Sequence, residues 1–173
     1  KGKVIYNKNF GYHTYSKQRK VSFEDLYDVA SLTKILVTLP LLMELVEHGS
    51  VNLDDRLGDL LPKYKTTNKS DITLKEMLSH FARLKPWIPF YKSTLDSITN
   101  TPISKFFSSK KSKKYPIQIS QNSFLRKDVT DTIHHHLIKS ELLEEKKYRY
   151  SDLPYYFLKD YIESYYDVSL DAL

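Results

Sequence analysis

The stretch from Ser31 to His48 constrains this chain more than any other. Within it Ile35, Leu36, Val37, Leu39, Leu42, Met43, Leu45 and Val46 fall on nearly every face of a helix. An apolar coat that broad must be enclosed by other elements, so the pattern predicts a helix buried at the centre of a domain. Thr38, Pro40 and Glu44 interrupt the run, and it is shorter than the ~20 residues that cross a bilayer. Pro40 costs a backbone hydrogen bond and predicts a kink. Gly49 ends the helix, with His48 at the negative end of its dipole. The chain has 173 residues, enough to wrap such a helix as one domain or as part of a larger one.

The flanking segments mix strand and helix patterns. Lys3 to Phe10 reads as a strand with Val4, Tyr6 and Phe10 on one face, and Gly11 to Tyr15 continues it. The chain opens at Lys1 as if already inside that strand, and no signal peptide is visible. Val51 to Leu61 reads as a loop with short helical turns, closed by Pro62. Thr73 to Phe81 is a helix capped from Asp71 or Thr73. Lys85 to Tyr91 is an aromatic loop. Further helices are expected from Ser93 to Phe107, from Asp131 to Ser140, and from Pro154 to Tyr165, with Pro154 in the first turn.

Composition closes off several function classes. Four glycines disfavour a glycine-rich phosphate loop and an all-β fold with many tight turns. The absence of cysteine excludes a disulfide framework and a thiolate zinc site. Lys105, Lys110, Lys111, Lys113 and Lys114 supply five of the formal +6 charge. A single lysine run of that kind reads as a solvated loop rather than a nucleic-acid site.

Ser31 and Lys34 share one helix face at the entrance to the apolar run. The Ser-x-x-Lys pattern is weak by itself. With 18 serines and 22 lysines, roughly two matches arise by chance, and two exist, Ser31/Lys34 and Ser108/Lys111. Position separates them. A serine at a helix start meets free N–H groups and the positive dipole end, which stabilise an oxyanion. A lysine on a buried helix is desolvated, which lowers its pKa and fits it to take the serine proton. A serine cap followed by a solvated lysine is the alternative, and these residues alone leave it open.

Longer motifs carry a resemblance. Tyr27-Asp28-Val29-Ala30-Ser31-Leu32-Thr33-Lys34 resembles the nucleophile motif of class C β-lactamases, esterases and low-molecular-weight penicillin-binding proteins. Val51-Asn52-Leu53-Asp54-Asp55-Arg56-Leu57, then Leu61-Pro62-Lys63-Tyr64, resembles the segment after that family's helix. Ile72-Thr73-Leu74 with Leu78-Ser79-His80 resembles its next segment, and Tyr148-Arg149-Tyr150-Ser151-Asp152 its Tyr-x-Asn motif. The resemblance covers essentially the whole chain. It implies an α+β β-lactamase/transpeptidase-like fold over residues 1–173, with N-terminal strands, a mostly helical region, and a break before the C-terminal strands. It implies Ser31 as nucleophile, Lys34 as its base, Tyr150 as the phenol that passes the proton to the leaving group, and Asp152 in substrate binding. It implies an amide or ester substrate, a small molecule or a peptidoglycan peptide, and neither cofactor nor metal. The setting it implies is the bacterial cell envelope. Lys85-Pro86-Trp87-Ile88-Pro89-Phe90-Tyr91 further resembles a subgroup fused to family-3 glycoside hydrolases.

Departures from the family pattern are equally specific. Asp152 stands where the family most often has Asn. An ionised carboxylate accepts hydrogen bonds and cannot donate, and it can pair with Lys34 and raise that lysine's pKa. Arg83 replaces a glycine that permits a left-handed turn. The third motif, a Lys-Thr-Gly or His-x-Gly on a strand, is expected beyond Leu173. These departures support an alternative, a catalytically impaired binding or structural module. His134-His135-His136 cannot chelate from one helix, because consecutive side chains point about 100° apart. His80 reads as a structural histidine.

Overall fold

The computed structural model describes residues 2–173; Lys1 lies outside the described residues. Residues 30–47 form a single rod of three successive pitches. A 3-10 turn (Ala30–Leu32) leads into a π segment (Lys34–Thr38) and then helix α1 (Leu39–Glu47). Pro40 explains the π segment. It has no N–H for the Leu36 carbonyl, and its ring crowds that carbonyl. The wider turn, in which the Leu39 N–H donates to the Lys34 carbonyl, absorbs both problems. A π segment therefore stands where a kink is expected.

The rod is not buried on every side. Thr38, Leu42 and Leu45 are buried, whereas Leu32, Ile35, Leu36 and Met43 are each more than half exposed. The predicted enclosure therefore holds for one face only, because the described elements pack against α1 from one side.

The predicted strand over Lys3 to Phe10 is not formed. Val4, Ile5 and Tyr6 stand exposed, and the ordered pairing of this arm is the single bridge Tyr12 to Lys20. An extended segment becomes a strand by exchanging hydrogen bonds with a neighbour, and no described strand lies beside it. The mixed α+β class holds. Its sheet is built later in the chain, from β1 (Phe107–Ser108), β2 (Ile117–Ser120) and β3 (Ser123–Leu125), antiparallel in the order β1-β3-β2.

Helix α2 (Leu57–Leu60) and a 3-10 turn (Pro62–Tyr64) occupy the Val51-to-Tyr64 region. Helix α3 (Leu74–Leu78) starts on a capping box in which Thr73 Oγ1 accepts from the Glu76 N–H and the Glu76 carboxylate accepts from the Thr73 N–H. It ends before Phe81 because His80 takes a left-handed φ of 60°. The helix expected from Ser93 to Phe107 is replaced by two 3-10 turns, Phe90–Thr94 and Ser104–Phe106. Asp96 is the cause. Its carboxylate accepts from the Ile98 and Thr99 N–H groups and the Thr99 hydroxyl, a local arrangement that competes with helix. Helices α4 (Asp128–Lys139) and α5 (Leu153–Tyr166) fall close to expectation, with Pro154 in the first turn of α5.

The core lies where α1, α3, α4 and α5 converge. Leu42 and Leu45 meet Leu74, Met77, Leu137, Phe157, Leu158 and Ile162, all essentially inaccessible. Each such side chain contributes about 1.5–3 kcal/mol through burial. Tyr64 joins them edge-on to Phe157 with ring centroids 4.8 Å apart, and its hydroxyl bonds His134 Nδ1 at 3.2 Å. Lys69 is also fully buried. Its ammonium donates to Asn68 Oδ1 at 2.7 Å and to the carbonyls of Ile138 and Ser140 at 3.1 and 2.5 Å. It thereby satisfies the end of α4, where the dipole favours a cation.

Candidate active site

Three sequence-predicted residues meet at one ammonium group. Lys34 Nζ donates to Ser31 Oγ at 3.1 Å and to Asp152 Oδ1 at 2.7 Å. It lies 5.3 Å from the centroid of the Tyr150 ring and 5.0 Å from that of Tyr155, within cation–π range. Ser31 and Lys34 come from adjacent turns of one rod, and Asp152 from the residue before α5, so packing of α5 against the π segment assembles the site.

Local backbone places each partner. Ala30, immediately before Ser31, has φ 43°, a left-handed value that a residue with a Cβ adopts at a cost. Asp28 holds it there by accepting from the Ala30 N–H at 2.8 Å. Ser31 is left exposed. The Tyr150-Ser151-Asp152 segment is pinned from the other side. The Arg149 N–H donates to the His80 carbonyl at 3.0 Å, the Ser151 N–H to His80 Nδ1 at 3.3 Å, and the Asp152 N–H to the Pro86 carbonyl at 2.8 Å. Ser151 Oγ donates to the Lys85 carbonyl at 2.6 Å and accepts from the Leu153 N–H at 3.1 Å.

His80 is therefore a positioning residue. Its Nδ1 accepts, which fixes the neutral ring with the proton on Nε2, and its ring lies 4.5 Å from that of Tyr150. Burial lowers its pKa, and the Lys34 charge lowers it further against an opposing pull from Asp152.

Of the two opposing expectations for Lys34, a pKa lowered by burial and one raised by Asp152, the second prevails. Burial does work against the ammonium, but the hydrogen bond to Asp152, with Tyr150 adding to it, outweighs burial and raises the lysine above its ordinary value. The Asp152 departure explains this. A carboxylate at that place raises the lysine, which an uncharged amide would not.

Ser31, Lys34 and Asp152 line a cleft of about 590 Å³ that runs past Tyr155 and Tyr156 to Ile133 and His134. Tyr155 and Tyr156, not Tyr150, form the aromatic wall of this cleft. No motif marks Tyr155, and Lys69 looks like an ordinary loop lysine, so sequence patterns do not reveal either. Ser108 does not approach Lys111; its hydroxyl donates to the Lys110 carbonyl instead. Among the described residues no group of three or more potential metal ligands gathers. His134 bonds Tyr64 and faces Asp160 at 3.5 Å.

Arg83 keeps the left-handed conformation of the glycine it replaces, with φ 58°. Its Nε donates to the Leu143 carbonyl at 2.5 Å, and its own carbonyl accepts from the Leu143 N–H at 2.7 Å. That two-way clasp offsets the roughly 1 kcal/mol cost of the conformation.

Comparison with known proteins fits this geometry. The chain is 33% identical to Protein flp of Staphylococcus aureus over 102 residues, which is 57% of the chain and 19% of that protein. It is 25% identical to Penicillin-binding protein 4* of Bacillus subtilis over 96 residues, 56% of the chain and 20% of that protein. The matched region thus spans about a fifth of these relatives' length. A class C beta lactamase from Rhodobacter sphaeroides shares the fold with a TM-score of 0.55 at 20% identity, over 93% of the chain and 36% of that structure. The family model for Beta-lactamase matches residues 1–171. By that match the chain belongs to the beta-lactamase family.

Proposed function

We propose that this chain carries the nucleophile half of a serine hydrolase that cleaves an amide or ester through an acyl-Ser31 intermediate. The observation that carries the reading is the single ammonium of Lys34 shared between Ser31 Oγ and Asp152 Oδ1 at the mouth of a cleft. Ser31 Oγ forms a bond to the substrate carbonyl carbon while its proton leaves toward Lys34. Tyr150, beside Lys34, gives its phenol proton to the departing nitrogen or oxygen as the carbonyl bond to it breaks, and takes the proton held by Lys34 in exchange. Water then attacks the acyl-serine, releases the acid and restores Ser31.

In the resting state Lys34 is an ammonium that donates to Ser31, so it cannot yet take the serine proton. Substrate that engages Asp152 weakens the ion pair and frees the lysine to lose its proton. A carboxylate at position 152 suits a substrate that presents a donor there. The setting proposed is cell-wall metabolism at the bacterial envelope, with wall peptides or small esters as substrates. One relative is named for penicillin binding, which makes penicillin a rational probe.

A second reading is favoured by the same 2.7 Å ion pair. A lysine held charged by Asp152 is a poor base, as expected of a binding module that has lost turnover, including one attached to a glycoside hydrolase. Labelling with a fluorescent penicillin and a fluorophosphonate, followed by peptide mapping, separates the two. The hydrolase reading expects a label on Ser31 that vanishes in Ser31→Ala. Labelling elsewhere, or none with either probe, removes it.

A further inference from the structure

We propose that the β1-β3-β2 ribbon is a docking surface for an anionic phospholipid bilayer. The inference is independent of the hydrolase reading, since no ribbon residue lines the cleft. Between Ser97 and Lys127 the chain has seven cations and no acid, whereas the remainder has twenty cations against twenty-one acids. The entire positive excess therefore resides in this one segment. The fold gathers it in space. The Lys127 N–H donates to the Lys114 carbonyl at 3.0 Å, Tyr115 Oη donates to the Lys105 carbonyl at 3.0 Å, and the Arg126 N–H donates to the Phe106 carbonyl at 2.9 Å. Lys105, Lys110, Lys111, Lys113, Lys114 and Lys127 are exposed, and none forms an ion pair among the described residues. Arg126 alone is matched, by Asp128.

Apolar groups accompany these cations. Phe107, Leu125 and Ile117 stand in register across the three strands, on one face and half-buried. Ile119, at the β-bulge between Gln118 and Ser120, is 51% exposed. Such a combination of lysines and aliphatic side chains matches the headgroup boundary, where ammonium groups meet phosphate and apolar groups enter the acyl layer. A single-stranded nucleic acid fits less well. It needs free aromatic faces for stacking, but Phe106 is covered by Lys105 at 5.1 Å and Arg126 at 4.7 Å, Tyr115 by Lys114 at 5.5 Å, and Phe107 and Phe124 are half-buried in the strands.

The test is sedimentation of the chain with vesicles of phosphatidylcholine alone or mixed with phosphatidylglycerol. Binding is expected to the mixed vesicles only and to fall with added salt. Replacing Lys110, Lys111, Lys113 and Lys114 together by Gln should weaken it at least a hundredfold, at roughly fivefold per lysine. Ile119→Ser should weaken it severalfold with the salt dependence intact. These positions lie outside the core, so circular dichroism should stay unchanged. Equal binding to neutral vesicles, wild-type binding by the quadruple variant, or equally tight binding to short polyphosphate or single-stranded DNA would overturn the proposal.

Discussion

Ser31 sits on an exposed turn whose support is local, whereas Tyr150, Ser151 and Asp152 are tied to His80, Lys85 and Pro86, far upstream. The position of Ser31 rests on Asp28, a left-handed Ala30 and the π turn that Pro40 imposes. The opposing segment rests on long-range hydrogen bonds beside the core. The difference teaches which half can be altered without unfolding the protein. Chemistry at Ser31 should be separable from stability, while Tyr150 and Asp152 inherit theirs from Ser151 and its partners.

The widest separation is expected at Lys34. Lys34→Ala should slow acylation of Ser31 by about 10²–10⁴-fold, the usual share of a general base. Stability should hardly change, because Asp152 is half exposed and water can solvate it once unpaired. Lys111→Ala should alter neither. Labelling rates with fluorophosphonate, read beside thermal denaturation, check this; an unchanged rate in Lys34→Ala would take the lysine out of the mechanism.

Ser151 and Ser31 probe the same contrast through stability. Ser151 is 2% exposed, and Ser151→Ala leaves the Lys85 carbonyl and the Leu153 N–H without their partner. The expected loss is about 1–3 kcal/mol. Ser31→Ala should stay within about 0.5 kcal/mol, as for other exposed sites. Urea midpoints that move equally for both would erase the distinction.

How much of this was legible beforehand follows from the same local-versus-distant division. The α3 start depends on neighbours a few residues away, and capping chemistry narrows it to Asp71 or Thr73, of which Thr73 is the cap. Ser31 and Lys34 also depend on near neighbours, but periodicity leaves them open and the family motif singles them out. The Tyr150 segment was legible only through its family motif, because His80, Lys85 and Pro86 act across the chain. Lys3 to Phe10 has the alternation of a strand, but strand formation needs a partner that alternation cannot supply. Asp96 defeats the helix expected over 93–107 by side-chain bonds that hydrophobic periodicity ignores. The buried Lys69 gives no signal, since only the fold brings the Ile138 and Ser140 carbonyls to it.

Asp152→Asn tests the junction of the two halves. The restored amide can donate to a substrate carbonyl, and the charge that holds Lys34 protonated is gone. A neutral hydrogen bond is worth about 0.5–1.5 kcal/mol, so penicillin acylation should rise by about two- to tenfold. The pH dependence has a definite sign. In the wild type Lys34 is raised above its ordinary value. The ion pair's stabilisation is thus complete at neutral pH and is lost as pH climbs through the folded pKa. Acylation needs the neutral amine and climbs over that same alkaline range. Asp152→Asn should move the rising limb of the rate toward lower pH. A tenfold fall instead would place the carboxylate among the groups that the true substrate uses.

Arg83→Gly carries the smallest effect and isolates the support beneath the pinned segment. Glycine adopts φ near 58° without the Cβ penalty, which recovers about 1 kcal/mol. The substitution also removes the Nε bond to the Leu143 carbonyl, worth about 1 kcal/mol. The backbone bond from the Leu143 N–H to position 83 survives. The two terms oppose each other, so the urea midpoint should move by less than about 1 kcal/mol in either direction. Arg83→Ala keeps the strain and loses the side-chain half of the clasp, so it should fall below both. If Arg83→Ala matched the wild type, the Nε bond would contribute nothing, and the loop that carries Lys85 and Pro86 would owe its position to the Leu143 backbone bond and the burial of Ala82 and Leu84.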